Sequence, residues 1–344
     1  MCKKKLRCSA FPYNVFHLRA FLLQMLTKKN PNMKTKSFFV AVIITAVSLF
    51  SACKKETLSG TQASNVQSFF DQTQVSAQTF SADLSTYNTI TGAKGTIVRV
   101  SPGSLLHQNG TTVTGSVQFQ LKELYSHGDM ILSNVATVSN GSLLQSGGEI
   151  YLGATQGSEN LLINHANPLA IQFPTTNATA GMQLFTGSFT ASTTDATGNI
   201  MNWNPVANAN ANIVWDSTTL RQYFGFIVDS FGWTNCDMFY YLSGGTDPQV
   251  QLPAGFDNTN TKIFMLFDAQ NAIATADVWA SPIFKFHAGS HTPIGLSVTI
   301  IAIGQKNGQF YYDIVHETTS AGAVFNVTMS QATLATIKNA VNAL

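Results

Sequence analysis

Val117-Gln118-Phe119-Gln120-Leu121-Lys122 alternates apolar and polar side chains, and the fold class follows from it. Successive side chains of a strand point to opposite faces, so this is a strand with one face in a core and one in water. On its N-terminal side, Thr96–Val100 is a β-branched run ended by Ser101-Pro102-Gly103. On its C-terminal side, Ile150–Leu152, Leu161–Ile163 and Leu169–Phe173 continue the series, the last bracketed by Pro168 and Pro174. Proline belongs at strand ends because it cannot donate to a ladder. Asn109-Gly110, Asn140-Gly141 and Gly147-Gly148 read as turns between strands. Short strands at this spacing predict a β-sandwich over residues 78–185.

A second strand-rich block begins near Tyr223, with Phe224, Phe226 and Val228 on one face. Ile263–Phe267 and Val298–Ile303 are near-continuous apolar runs, expected of strands buried on both faces. Phe310–Val315 and Val324–Val327 follow the turn sequences Lys306-Asn307-Gly308 and Ala321-Gly322. Ser330 is the expected cap of a final helix, in which Leu334, Ile337, Val341 and Leu344 share one face. The expected fold is mainly β: two β-sandwich domains, 78–185 and 222–344, with a C-terminal amphipathic helix packed on the second. The Thr-, Ala- and Asn-rich stretch 186–221 reads as a connector between them.

The front of the chain reads as an address. Lys34 and Lys36 precede an apolar run of 13 residues, Phe38–Phe50, which ends in Ser51-Ala52-Cys53. The run suits a signal peptide and is short for a membrane-spanning helix. The motif resembles the lipobox of bacterial lipoproteins, with Phe50 where that family usually has Leu. The resemblance implies cleavage before Cys53 and a lipid on its thiol; an uncleaved anchor is the alternative. Residues 1–32, which carry another basic and apolar stretch before Met33, read as an upstream extension, and 33–52 as the signal. Residues 53–77, rich in Ser, Thr, Gln and Asn, read as a tether with a short helix around Val66–Gln72. The start Cys53-Lys54-Lys55-Glu56 is similar to outer-membrane lipoproteins of the Bacteroidota, which implies an outer-membrane anchor facing either side. The order Gly95-Thr96, Ser101-Pro102-Gly103 and Asn167 to Pro174 is similar to ZU5-type β-sandwich modules, which again implies fold rather than reaction.

Charge is uneven. Residues 1–52 hold nine of the 19 Lys and Arg and no acid; residues 53–344 hold ten basic and 17 acidic residues, a net of −7. Such a body is not a nucleic-acid binder, which needs a basic stripe to neutralise phosphates. Only Cys236 remains after Cys53, so no intramolecular disulfide is expected in the body. No nucleophile elbow, phosphate loop or dinucleotide fingerprint occurs. His107, His127, His165, His287, His291 and His316 lack the helical spacing of a zinc site, and no cofactor or metal is expected. Asp195 to Asn199 and Asp257 to Asn260 read as Asx turns.

Phe231 to Tyr241 is the densest aromatic segment. In one reading Trp233, Tyr240 and Tyr241 line a binding groove and Cys236 is reactive. In the other the aromatics fill the sandwich, Asn235 and Asp237 make a turn, and Cys236 is a core residue. The acids around Cys236 favour the second view of the thiol. The expected function is a non-enzymatic, lipid-anchored envelope module that binds a protein or glycan. An envelope hydrolase acting on polysaccharide or peptide, and a purely structural component, are the alternatives.

Overall fold

The computed structural model describes residues 66–344 except 177–178, 218–220, 242–244, 281–282 and 287–291. The signal, Cys53 and the first part of the expected tether lie outside the described residues. The chain is mainly β with a short C-terminal helix. In the first sandwich the large sheet runs Gln78–Asp83, Ser116–Leu124, Ser142–Gln156, Gly232–Phe239, Gln183–Ala191, Asn199–Asn210, with two short strands attached to Ser142–Gln156. Facing it is a sheet ordered Asn212–Asp216, Arg221–Val228, Leu169–Thr175, Ile97–Val100, Asn88–Thr91. Val117, Phe119 and Leu121 point into the core between them, and Gln118 and Gln120 are exposed, as the alternation requires.

In the second sandwich a sheet ordered Ala272–Thr275, Thr261–Phe267, Ser297–Lys306, Gln309–Thr318, Ser330–Ala332 faces a smaller one. The smaller sheet runs Asp277–Ala280, Ile283–Lys285, Gln249–Gln251, Val324–Asn326. Ile263, Met265, Phe267, Val298 and Ile300 meet Val250, Phe284 and Phe325 in its core.

A third core lies between the sandwiches, and it accounts for the continuous apolar runs. Phe264, Leu266, Ile301 and Ile303 alternate with the residues just named and point the other way. They meet Leu124, Leu144, Phe185, Met201 and Trp203 from the outer face of the large sheet. Three helices complete this core: Gln67–Thr73 gives Phe69 and Phe70, His127–Leu132 gives Met130 and Ile131, and Leu334–Asn342 gives Ile337 and Val341. Trp203 is fully buried and donates its indole N–H to the Ala136 carbonyl at 2.9 Å. Its ring lies over Gly187, its cross-strand partner, where a Cβ would come within 2.5 Å of the ring. Only glycine permits that approach.

Polar links join the same two bodies. Thr137 and Ile273 exchange backbone and hydroxyl hydrogen bonds; the Ser146 amide donates to the Asn271 carbonyl, and Asn271 Nδ2 donates back to the Ser146 carbonyl. Lys262 pairs with Asp195, both buried. Breaking one partner of such a pair would leave an uncompensated buried charge.

Several expectations are corrected by this arrangement. Arg221–Val228 pairs with Leu169–Thr175, and Gly232–Phe239 with Ser142–Gln156, so the first sandwich extends through residue 239. The stretch 186–221 is not a connector, because it supplies Asn199–Asn210 and Asn212–Asp216 to the two sheets. Residues 66–73 do form the short helix, but they are docked rather than tethering: Val66, Phe69, Phe70 and Thr73 are buried. Gly147-Gly148 is no turn; it lies inside the 15-residue strand Ser142–Gln156, where a Cβ on Gly148 would strike the Tyr125 ring. Ser330 begins a strand, and Thr333 caps the last helix, accepting from the Thr336 amide at 3.1 Å. That helix packs into the middle core rather than on the second sandwich alone.

Phe69 tests the docking directly. It is fully buried and packs edge-on against Phe70 and Phe310. We expect Phe69→Ala to destabilise the protein by about 3–5 kcal/mol in urea titration. A tether residue would give no change.

Candidate functional site

Trp233 stands on the outer face of the large sheet, opposite Tyr151 and Gly187 on the neighbouring strands. Its ring packs edge-on against Tyr151 at 5.6 Å and Phe189 at 6.2 Å between centroids. Beside it opens a pocket of about 260 Å³. Gln67, Phe70 and Gln74 line it from the first helix, Ser133 and Asn134 from the end of the second, and Phe189 and Asn199 from the large sheet. Phe189 is 41% exposed.

Asn134 sits in the left-handed conformation, φ 56°, as helix-ending asparagines do. Its amide is fixed by a relay. Nδ2 donates to Thr197 Oγ1 at 3.1 Å, and that hydroxyl donates to Asp195 Oδ1 at 2.6 Å. Asp195 in turn pairs with Lys262. A carboxylate is the stronger acceptor for the Thr197 proton, so the Asn134 amide must face it with nitrogen. Asn134 Oδ1 is therefore left buried at the pocket with no donor. An unpaired buried acceptor costs free energy that a ligand donor would recover.

A buried acid cluster lies on the same sheet. Asn235 pairs in register with Glu149, and Asp237 with Ser146, across a bulge. Asn235 Nδ2 donates to Asp237 Oδ2 and, at 3.5 Å, to Glu149 Oε1. Ser146 Oγ donates to Asn235 Oδ1 at 3.2 Å and accepts from the Gly148 amide. Glu149 Oε2 and Asp237 Oδ1 have no partner. Burial lifts both carboxyls well above their ordinary values, and the Asp237 charge lifts Glu149 further. Burial thus favours the protonated, uncharged form of each carboxyl. Glu123, equally buried, differs in its hydrogen bonding: it accepts from Gln78 and from the Lys94 and Thr96 amides at 2.7–2.9 Å.

Trp233 lies near the start of the strand Gly232–Phe239 and Tyr240 and Tyr241 beyond its end, which separates the three aromatics expected to form one groove. Trp233 lines the pocket, Tyr240 packs against the second sandwich core, and Tyr241 is 86% exposed and stacked on Phe239. Cys236 is buried in the first sandwich core, its thiol pushed up by burial and by Asp237. Asn235 and Asp237 belong to a strand and not to a turn. Both Asx turns are present: Asp195 and Asp257 each accept from the amide and hydroxyl of the threonine two residues on.

The nearest approach to a catalytic constellation is Asp268, Thr299 and His316. Asp268 accepts from Thr299 Oγ1 at 2.7 Å and Ser297 Oγ at 2.5 Å, and Thr299 Oγ1 lies 2.8 Å from His316 Nδ1. With its proton on the carboxylate, the Thr299 hydroxyl must accept from the imidazole. That order is the reverse of a histidine base activating a hydroxyl. His107 and His165 face Glu159 and Asp229, while His287 and His291 lie outside the described residues. Among the described residues no three His, Cys, Asp or Glu side chains gather as they would around a metal ion. No protein-family model and no curated protein matches the chain.

The acid pair gives a pH prediction. In the unfolded chain both groups ionise near 4, at their ordinary values of 4.5 and 3.8. Folded, they bind protons to higher pH, so their contribution is fully present below that range and is lost as pH rises. Asp129 acts with the opposite sign: burial would raise it, but Lys94 and Ser126 outweigh burial and hold it low. We expect Glu149→Gln to raise Tm at pH 7 by about 2–4 °C and to flatten the decline of Tm above pH 4. A lower Tm with an unchanged pH slope would contradict the assignment.

Proposed function

We propose that this chain is a lipid-anchored envelope protein whose sandwich body binds a ligand without transforming it, with the Trp233 pocket as its binding site. One observation carries the reading: an aromatic, uncharged pocket in which a buried amide oxygen lacks a donor. Concave sites that mix apolar walls with a few fixed polar groups are the usual form of ligand pockets. The hydroxyl order around Asp268 speaks against a histidine-activated hydroxyl at that cluster, and the pocket favours binding over a purely structural role.

The anchoring half of the proposal rests on Phe38–Phe50 and Ser51-Ala52-Cys53. The resemblance to Bacteroidota lipoproteins supports reading the outer membrane as the site of that anchor. No helix among the described residues is long and apolar enough to cross a membrane. Since Phe69 and Phe70 are docked, the spacer ends before residue 66. From Cys53 to Gln67 the chain reaches at most about 50 Å when extended. Gln67 itself lines the pocket, so the ligand would be held within that distance of the lipid surface.

Membrane fractionation of Cys53→Ser tests the anchor. The expected result is soluble protein or unprocessed precursor; normal processing and membrane retention would overturn it.

A further inference from the structure

We infer that the Trp233 pocket takes one neutral sugar ring of a glycan. The inference rests on the binding role proposed above and names its ligand class. Four observations lead to it.

The first is charge. The lining consists of Gln67, Gln74, Ser133, Asn134 and Asn199 with three aromatics, and no ionised side chain is among them. A carboxylate or phosphate ligand would find no cation there, and a cationic ligand no carboxylate. Of the charges nearby, Asp195 is neutralised by buried Lys262, while Asp71 and Lys122 stand behind the lining amides, Asp71 accepting from Gln67 Nε2 at 2.7 Å and Lys122 donating to Gln74 Oε1 at 2.6 Å.

The second is the orphan acceptor. Asn134 is 5% exposed, its nitrogen is tied to Thr197, and its oxygen has no donor. A ligand that brings an O–H or N–H beside Asn134, as a hydrocarbon does not, would supply the missing donor. The third is the aromatic wall. Trp233, Phe189 and Phe70 offer apolar surface beside the amides, which suits a molecule with one C–H face and a hydroxyl rim. A pyranose ring has both. The fourth is size. About 260 Å³ accommodates one such ring and leaves little room for a second. A longer glycan would continue out of the pocket past exposed Phe189.

Saturation-transfer NMR on the mature protein, with glucose, galactose, mannose and N-acetylglucosamine as probes, tests the inference. A short aromatic peptide serves as the comparison ligand. At least one sugar should show transfer concentrated on its ring C–H protons. Trp233→Ala should weaken that binding at least about tenfold. Asn134→Gly keeps the left-handed backbone and removes the amide; it should weaken binding without changing the circular-dichroism spectrum. Trp233→Phe, which retains a ring, should restore part of the affinity and guards against misfolding of the alanine variant. If the peptide binds at Trp233 and no sugar does, the glycan inference fails while the binding role stands. If neither binds, both fail. Sugar binding unaffected by Trp233→Ala would place the site elsewhere and overturn the inference.

Discussion

Both sandwiches depend on the apolar layer between them. Phe264, Leu266, Ile301 and Ile303 from one body meet Trp203, Phe185 and Leu144 from the other, with Phe69, Ile337 and Val341 closing the gaps. Exposing that surface would leave each sandwich with a large apolar face in water, a face that isolated soluble domains rarely carry. The two bodies therefore act as one folding unit, and the described residues from 66 to 344 belong to one compact unit. The layer also explains why strands Thr261–Phe267 and Ser297–Lys306 are apolar throughout: each face serves a different core.

The pocket is a by-product of the same layer. Its walls come from the docked first helix, the end of the second helix and the outer face of the large sheet, which meet only because the middle core draws them together. The relay from Asn134 through Thr197 and Asp195 ends at Lys262 on the second sandwich. A residue of one body is thus oriented by a charge on the other. The acid cluster of Glu149 and Asp237 lies on that sheet too, where burial and the neighbouring like charge disfavour ionisation.

Much of this was legible in local pattern. The alternation at Val117 to Lys122, the turn at Asn140-Gly141 and the helical spacing of Ile337 and Val341 each specify their own element. What pattern does not carry is partnership. The run Ile263–Phe267 says that both faces are buried, but not that they face two different bodies. Phe69 and Phe70 stand in a Ser- and Gln-rich stretch whose average composition reads as a spacer, yet two aromatics on one short helix are enough to dock it. Polar 186–221 looked like a connector because its strands are largely exposed at a sheet edge, where β patterning fades. Trp233 was visible as an aromatic in a dense segment. Asn134 offered only a helix-stop signal, and the pairing of Glu149 with Asn235 depends on a long-range register that no short motif encodes.

Native-state hydrogen exchange addresses the shared layer most directly. Amides of Val117–Leu121 in the first sandwich and of Ile263–Phe267 in the second should open with the same free energy, that of global unfolding. Ile337→Ala, which carves into the layer without touching either sandwich core, should lower both by an equal amount. Exchange of one set at a distinctly lower free energy, with the other unaffected by the substitution, would show two independent domains and contradict the account.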